Sequence, residues 1–188
     1  MSAKEINLLY LNFVMQKLLK PGLVFLMITL VLASCGPTDM DEPSAGGTSA
    51  YTPVLMKRSE LEQSIKMEVA RTLKDPGKIY TYGNYIFISE RYEGVHIVDN
   101  SDPSNPVNMA FVVVPGCVDM AVKNNVMYVD NAVDLVSLSL DNLNDIKVVD
   151  RSVNVFPELV PPDMNIVPEA FNAKNRPANT IIIGWKKS

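Results

Sequence analysis

The side chains best suited to chemistry are a scatter of carboxylates, one histidine and two cysteines. Glu90, Glu93, Asp99 and Asp102 fall in one stretch, and Asp119, Asp130, Asp134 and Asp141 in the next. Two carboxylates facing a sugar bond could hydrolyse it, but nothing in this spacing singles out a pair. Asp99-x-Ser101-Asp102 is reminiscent of a calcium loop, yet it lacks the central glycine and late glutamate of an EF-hand. The expectation is Asx-turns, with calcium across loops as the alternative. His96 is the only histidine and alternates with Val95 and Ile97, so it belongs on the opposite face of its strand. Without a second histidine a zinc site is not expected, and no G-x-S-x-G elbow is present. No catalytic residue, metal or cofactor is expected. Arg91, Tyr92 and Tyr82 sit near turns, where such residues line carbohydrate or peptide surfaces and equally cover sheet edges.

The cysteines differ in context. Cys117 lies inside an apolar stretch and reads as a buried small hydrophobe. Cys35 closes Leu32-Ala33-Ser34-Cys35 after Lys17, Lys20 and an uncharged apolar run from Pro21 to Ser34. Basic residues, a short apolar region and small residues at the cut form a secretory signal at residues 1–34. The run is short for a membrane span, which needs about 20 residues. Leu-Ala-Ser-Cys resembles the bacterial lipobox. That resemblance implies diacylglycerol on the Cys35 sulfur, cleavage after Ser34 and an acylated new amino terminus. Two or more acyl chains give stable attachment to a membrane. Met1–Val14 adds a charged pair and a second apolar patch, which makes Met15 the expected true start. Residues 35–52 are then a lipidated cysteine and a flexible tether rich in small and polar residues. Its early Asp39, Asp41 and Glu42 resemble a surface-export signal, so both the periplasmic face of the outer membrane and the cell surface stay open.

What must position the carboxylates and aromatics is a repeat. Gly83–Val114 aligns without a gap on Asn124–Val155, an offset of 41 positions. Val95 falls on Val136 and Ile97 on Leu138. Phe87 falls on Tyr128. A period near 40 with room for four short strands is the signature of propeller blades. In the first copy (78–116) the expected strands are Lys78–Tyr82, Tyr85–Ser89, Val95–Asp99 and Val107–Val114. In the second (117–156) they are Val118–Val122, Val126–Asp130, Asp134–Leu140 and Ile146–Val155. Val, Ile, Tyr and Phe dominate all of them. The fold class is all-β: an incomplete β-propeller-like array of about two four-stranded blades, after a short helix and a lipoprotein signal peptide.

The run Tyr85–Val107, YIFISERYEGVHIVDNSDPSNPV, followed by PGCVDMAVKNNVMYVDNAVDLVSLSLDN, resembles the LVIVD-repeat, propeller-like lipoproteins of Bacteroidetes. The resemblance covers roughly Pro53 to Trp185. It implies a propeller-like fold and a cell-envelope location, and it supplies no catalytic residues. Such proteins usually carry further repeats, so a truncated product is the first expectation. A fragment, or a small variant that closes its open strand edges by self-association, are the others.

Two segments flank the repeats. In 53–77, Ser59 and Glu62 match a capping box, which predicts a helix from about Glu60 to Lys66, and Met67–Leu73 is an expected edge strand. In 157–188, four prolines between Pro157 and Pro168 break regular structure, and Thr180–Trp185 reads as the opening strand of an unfinished third unit.

The chain has 188 residues and a net charge of −4, which gives nucleic-acid binding no electrostatic support. The functional expectation is a lipid-anchored cell-envelope protein, non-enzymatic, acting as a binding or scaffolding module toward an unknown protein or glycan. The alternative is a surface glycan-acting enzyme using loop carboxylates.

Overall fold

A computed structural model of the chain describes residues 48–188. The signal segment, Met15, Cys35 and most of the tether lie outside the described residues.

The described residues are mostly antiparallel β-sheet. In chain order they form β1 (Tyr51–Lys57), a single-turn helix α1 (Arg58–Leu61), β2 (Lys66–Val69) and β3 (Pro76–Tyr82). Then come β4 (Tyr85–Glu90), β5 (Gly94–Asp99), β6 (Val107–Val113) and β7 (Met120–Lys123). The series ends with β8 (Val126–Asn131), β9 (Asp134–Ser139), β10 (Lys147–Ser152) and β11 (Thr180–Lys187). Strands β3 to β6 make the first blade-like sheet and β7 to β10 the second, as the repeat predicts. β2 adds to the outer edge of the first sheet against β6, so the edge strand expected over Met67–Leu73 is present but runs from Lys66 to Val69.

The turns follow from their residues. Asn100 closes onto Asn84, and Leu140 onto Asn125, at equivalent places in the two sheets. Gly83, Asn124 and Asn125 take positive φ at the β3–β4 and β7–β8 turns, where glycine and asparagine are the residues that tolerate it.

One core joins the two sheets. Phe87, Val95, Ile97 and Val112 of the first pack in a single buried cluster with Met120, Val122, Met127, Val129, Val136 and Leu138 of the second. Val95, Ile97, Val136 and Leu138 occupy the positions the repeat assigns. The gapless alignment fails one strand earlier. Phe87 pairs with Ile97, whereas Leu138 pairs with Met127, not Tyr128. Phe87 is 1% exposed and Tyr128 38%. The physical reason is turn length: residues 91–93 link β4 to β5, but only Ala132 and Val133 link β8 to β9. One residue of slip turns every side chain of a strand to its other face.

Three other expectations are corrected. The helix spans Arg58–Leu61, with Lys57 at its N-cap and no side-chain cap, so Ser59 does not cap it. Ser64 closes it by donating to the Leu61 carbonyl at 2.7 Å. Tyr51 and Thr52, assigned to the tether, belong to β1. Thr180–Trp185 is a strand, but its partner among the described residues is β1 rather than a further repeat strand. As part of β11 it pairs antiparallel with β1, Thr52 opposite Lys186 and Lys57 opposite Thr180. Residues from both ends of the described region thus clasp one another. Ile182 is fully buried beneath them.

Gly94 shows how tightly β5 and β6 approach. Its φ is 147°, and a Cβ there would lie 2.0 Å from the Val112 carbonyl oxygen. Gly94→Ala is expected to cost about 2–4 kcal/mol through backbone displacement, read by urea unfolding. A loss below about 0.5 kcal/mol, the range of innocuous surface changes, would contradict this packing.

Candidate functional site

A cavity of about 580 Å³ lies between the β1–β11 pair and the β4–β5 turn. Tyr51 and Val54 come from β1, Ile183 to Lys186 from β11, and Glu90 to Glu93 from the turn. Lys74 and Asp75, just before β3, and Pro162 complete the wall. This volume falls in the range of small-molecule sites.

The turn is unusual. Tyr92 adopts φ 64°, a left-handed conformation that bulky residues rarely take. Two backbone hydrogen bonds hold it there. The Tyr92 N–H donates to the Cys117 carbonyl at 2.7 Å, and the Gly116 N–H donates to the Tyr92 carbonyl at 2.9 Å. The ring lies against Gly184, where a Cβ would come within 2.9 Å of Tyr92 Cγ. Burial pushes the Tyr92 phenol up, against the opposing influence of Arg91. Trp185, next to Gly184 in β11, is 6% exposed; its indole lies edge-on to Phe171 at 5.9 Å, and its Nε1–H donates to the Leu159 carbonyl at 3.0 Å.

The charges around the cavity are largely committed. Arg91 pairs with Asp75 at 3.3 Å, and Glu93 with Arg71 at 2.7 Å. Arg71 also lies 3.6 Å over the Phe111 ring. Glu90 is buried and accepts from the amides of Lys74 and Asp75. Its Oε2 is 2.9 Å from His96 Nε2. Burial raises the Glu90 carboxyl, but the Asp75 amide, the His96 ring and the Lys74 amide outweigh it and hold the group below the ordinary carboxylate range.

His96 is on the face opposite Val95 and Ile97, as its alternation predicts, and is fully buried, edge-on to Phe111 at 4.7 Å. Its Nδ1 has no partner. Glu90 and His96 come together because Glu90 pairs with Gly94, two residues along the same face.

The remaining candidates are dispersed. Asp99 and Asp102 accept the amides of Ser101 and Ser104, which are the expected Asx-turns. Asp130 caps the amides of Val118 and Asp119, and Asp119 pairs with Lys78 at 2.7 Å. Asp141 accepts from the Ser139 hydroxyl at 2.9 Å. Asp134 is buried and gripped by Arg58 through both oxygens, by Arg151, and by the Asn154 amide. Burial raises its carboxyl, and these donors bring it below the ordinary value. Cys117 is fully buried; burial and then Asp130 push its thiol well up, so it stays protonated. Arg91 and Tyr92 meet at the large cavity. Tyr82 does not: its hydroxyl bonds Asn125 across the two inner strands. Cys35 lies outside the described residues. Tyr51 and Trp185 carried no local signal, since only the β1–β11 pairing brings them to the turn.

Compared with known proteins, residues 75–113 match the model of the LVIVD repeat. The match spans β3 to β6, the whole first blade-like sheet, and identifies a β-propeller-like repeat module. Neither the curated proteins nor the solved structures give a match.

Because Glu90 is held below its ordinary value near 4.5, its contribution to stability is present above that pH and lost as the pH falls below it. Glu90→Gln is expected to lower stability at pH 7 by about 1–3 kcal/mol, the cost of weakening a buried charged acceptor. The gap to wild type should narrow from about pH 4.5 downward, as read by thermal unfolding across pH. A gap independent of pH would mean that the carboxylate charge is not what holds the turn.

Proposed function

We propose that this chain is a lipid-anchored cell-envelope protein whose propeller-like repeat module binds or scaffolds a partner and performs no catalysis. The role rests on one observation: the cavity beside the β4–β5 turn is lined by Tyr51 and Tyr92 and by acids already tied to local donors. A general acid or base needs a free proton site facing its substrate. Glu90 is occupied by two amides and His96, and Asp75 and Glu93 are each paired with an arginine. The alternative, a glycan-acting enzyme, needs two carboxylates facing across a cleft. The loop aspartates are instead each turned to their own donors.

The address rests on the Leu32–Cys35 motif. Acylated Cys35 holds the module at the outer membrane, on its periplasmic face or at the cell surface. The partner is a protein or a glycan. A second copy is a further partner, through the outer edge of β10. There Val148 and Val149 are exposed, and an unpaired edge is a template for strand addition.

The expected behaviour of the full chain, expressed in a bacterium that acylates lipoproteins, is incorporation of labelled palmitate and partition into a detergent phase. Cys35→Ala is expected to abolish labelling and move the protein to the aqueous phase. Labelling that survives this substitution would overturn the anchor.

A further inference from the structure

We propose that the cavity between β11 and the β4–β5 turn binds a neutral oligosaccharide. This deepens the binding-module reading and rests on it. A sugar ring offers two surfaces, a patch of C–H groups and a rim of hydroxyls. The first is matched by aromatic side chains, which supply large apolar faces with a polar edge. The second is matched by planar charged groups, whose hydrogen bonds are stronger than neutral ones.

Both surfaces are present. Tyr51 of β1 and Tyr92 of the β4–β5 turn come to the cavity from separate places in the chain, beside the buried Trp185 of β11. Tyr92 is kept in a left-handed backbone conformation that asparagine or glycine would adopt with less strain. Such strain persists only where surrounding structure enforces it, and it concentrates at functional sites. Here its effect is to seat an aromatic ring on Gly184, at the cavity wall. A ring fixed in this way loses little freedom when a ligand stacks on it.

The rim supplies the polar half. The Arg91–Asp75 pair holds a guanidinium and a carboxylate side by side on the cavity wall, and Arg71 neutralises Glu93. Paired groups offer donors and acceptors for hydroxyls with little net field. That favours an uncharged ligand over an anion or a cation. Lys74 and Lys186 are exposed at the margin, where water and salt screen them.

Trp185 is the only tryptophan of the chain and sits at the edge of this cavity, so its emission is one readout of binding there. The experiment titrates the full chain, in a detergent without a sugar headgroup, with neutral oligosaccharides derived from glucan, mannan, xylan and chitin. Uronic-acid oligosaccharides are titrated alongside, with calorimetry in parallel. A saturable change with a neutral oligosaccharide is expected. Tyr92→Asn, which suits the left-handed turn and removes only the ring, is expected to stay folded by circular dichroism and to weaken binding at least about tenfold, a stacking contribution of about 1.4 kcal/mol. Tyr51→Ala, at the start of β1, is expected to weaken it in the same direction. No saturable response to any neutral sugar overturns the proposal. So does a response confined to uronic-acid sugars, or affinity unchanged in a folded Tyr92→Asn. Capture of a protein partner without any sugar response would overturn this assignment while leaving the binding-module reading standing, and membrane partition of Cys35 variants is independent of both.

Discussion

The rest of the structure depends on a hydrophobic core that neither blade owns. A four-stranded antiparallel sheet has two faces, and a small sheet alone cannot bury enough apolar surface to offset the entropy of ordering its chain. Here Phe87, Val95, Ile97 and Val112 on one sheet meet Met120, Met127, Val129, Val136 and Leu138 on the other. Burying one such side chain stabilises by about 1.5–3 kcal/mol, so the joint cluster is worth far more than either half left facing water. The inner strands add polar register marks across the same seam. Tyr80 donates to the Val122 carbonyl at 3.0 Å, and Tyr82 bonds Asn125.

Around that core the chain is tied by contacts distant in sequence. β1 pairs with β11, and α1 directs Arg58 onto Asp134 at the start of β9. Arg151 of β10 reaches the same carboxylate at 2.7 Å. A buried carboxylate shared by two arginines is costly to break from one side. It fixes the lead-in segment against the second sheet, while β2 fixes it against the first. The cavity follows from this clasp: β1 and β11 supply one wall and the β4–β5 turn the other. A turn that has traded conformational ease for an aromatic side chain then faces a pre-formed space.

Much of the blade architecture was legible because it is local. Period-two alternation at Val95-His96-Ile97 told core face from far face, and Asn-, Asp- and Gly-rich turns marked the strand ends. The slip between β4 and β8 was not legible from a gapless repeat, since one residue in a turn changes the face without changing the pattern. The β1–β11 pairing was hidden for another reason. Strand pairing between distant segments is set by tertiary context, and Pro53 made its segment a poor-looking strand. At the candidate site, Arg91 and Tyr92 stood out as aromatic and basic groups in a turn. Glu90 read as a loop carboxylate. Its burial is explicable from sequence only once the Glu90–Gly94 register places it on the His96 face.

The central claim, that the two sheets share one core and hold or lose structure together, is tested most directly by native-state amide hydrogen exchange on the Ile97→Ala variant. Ile97 lies in the first sheet and is fully buried. The shared core predicts that amides of β8 and β9 lose protection by the same free energy as those of β4 and β5, about 2–4 kcal/mol for a buried isoleucine truncated to alanine. Protection of β8 and β9 left at the wild-type level would contradict it, and would mean that each blade is stable on its own.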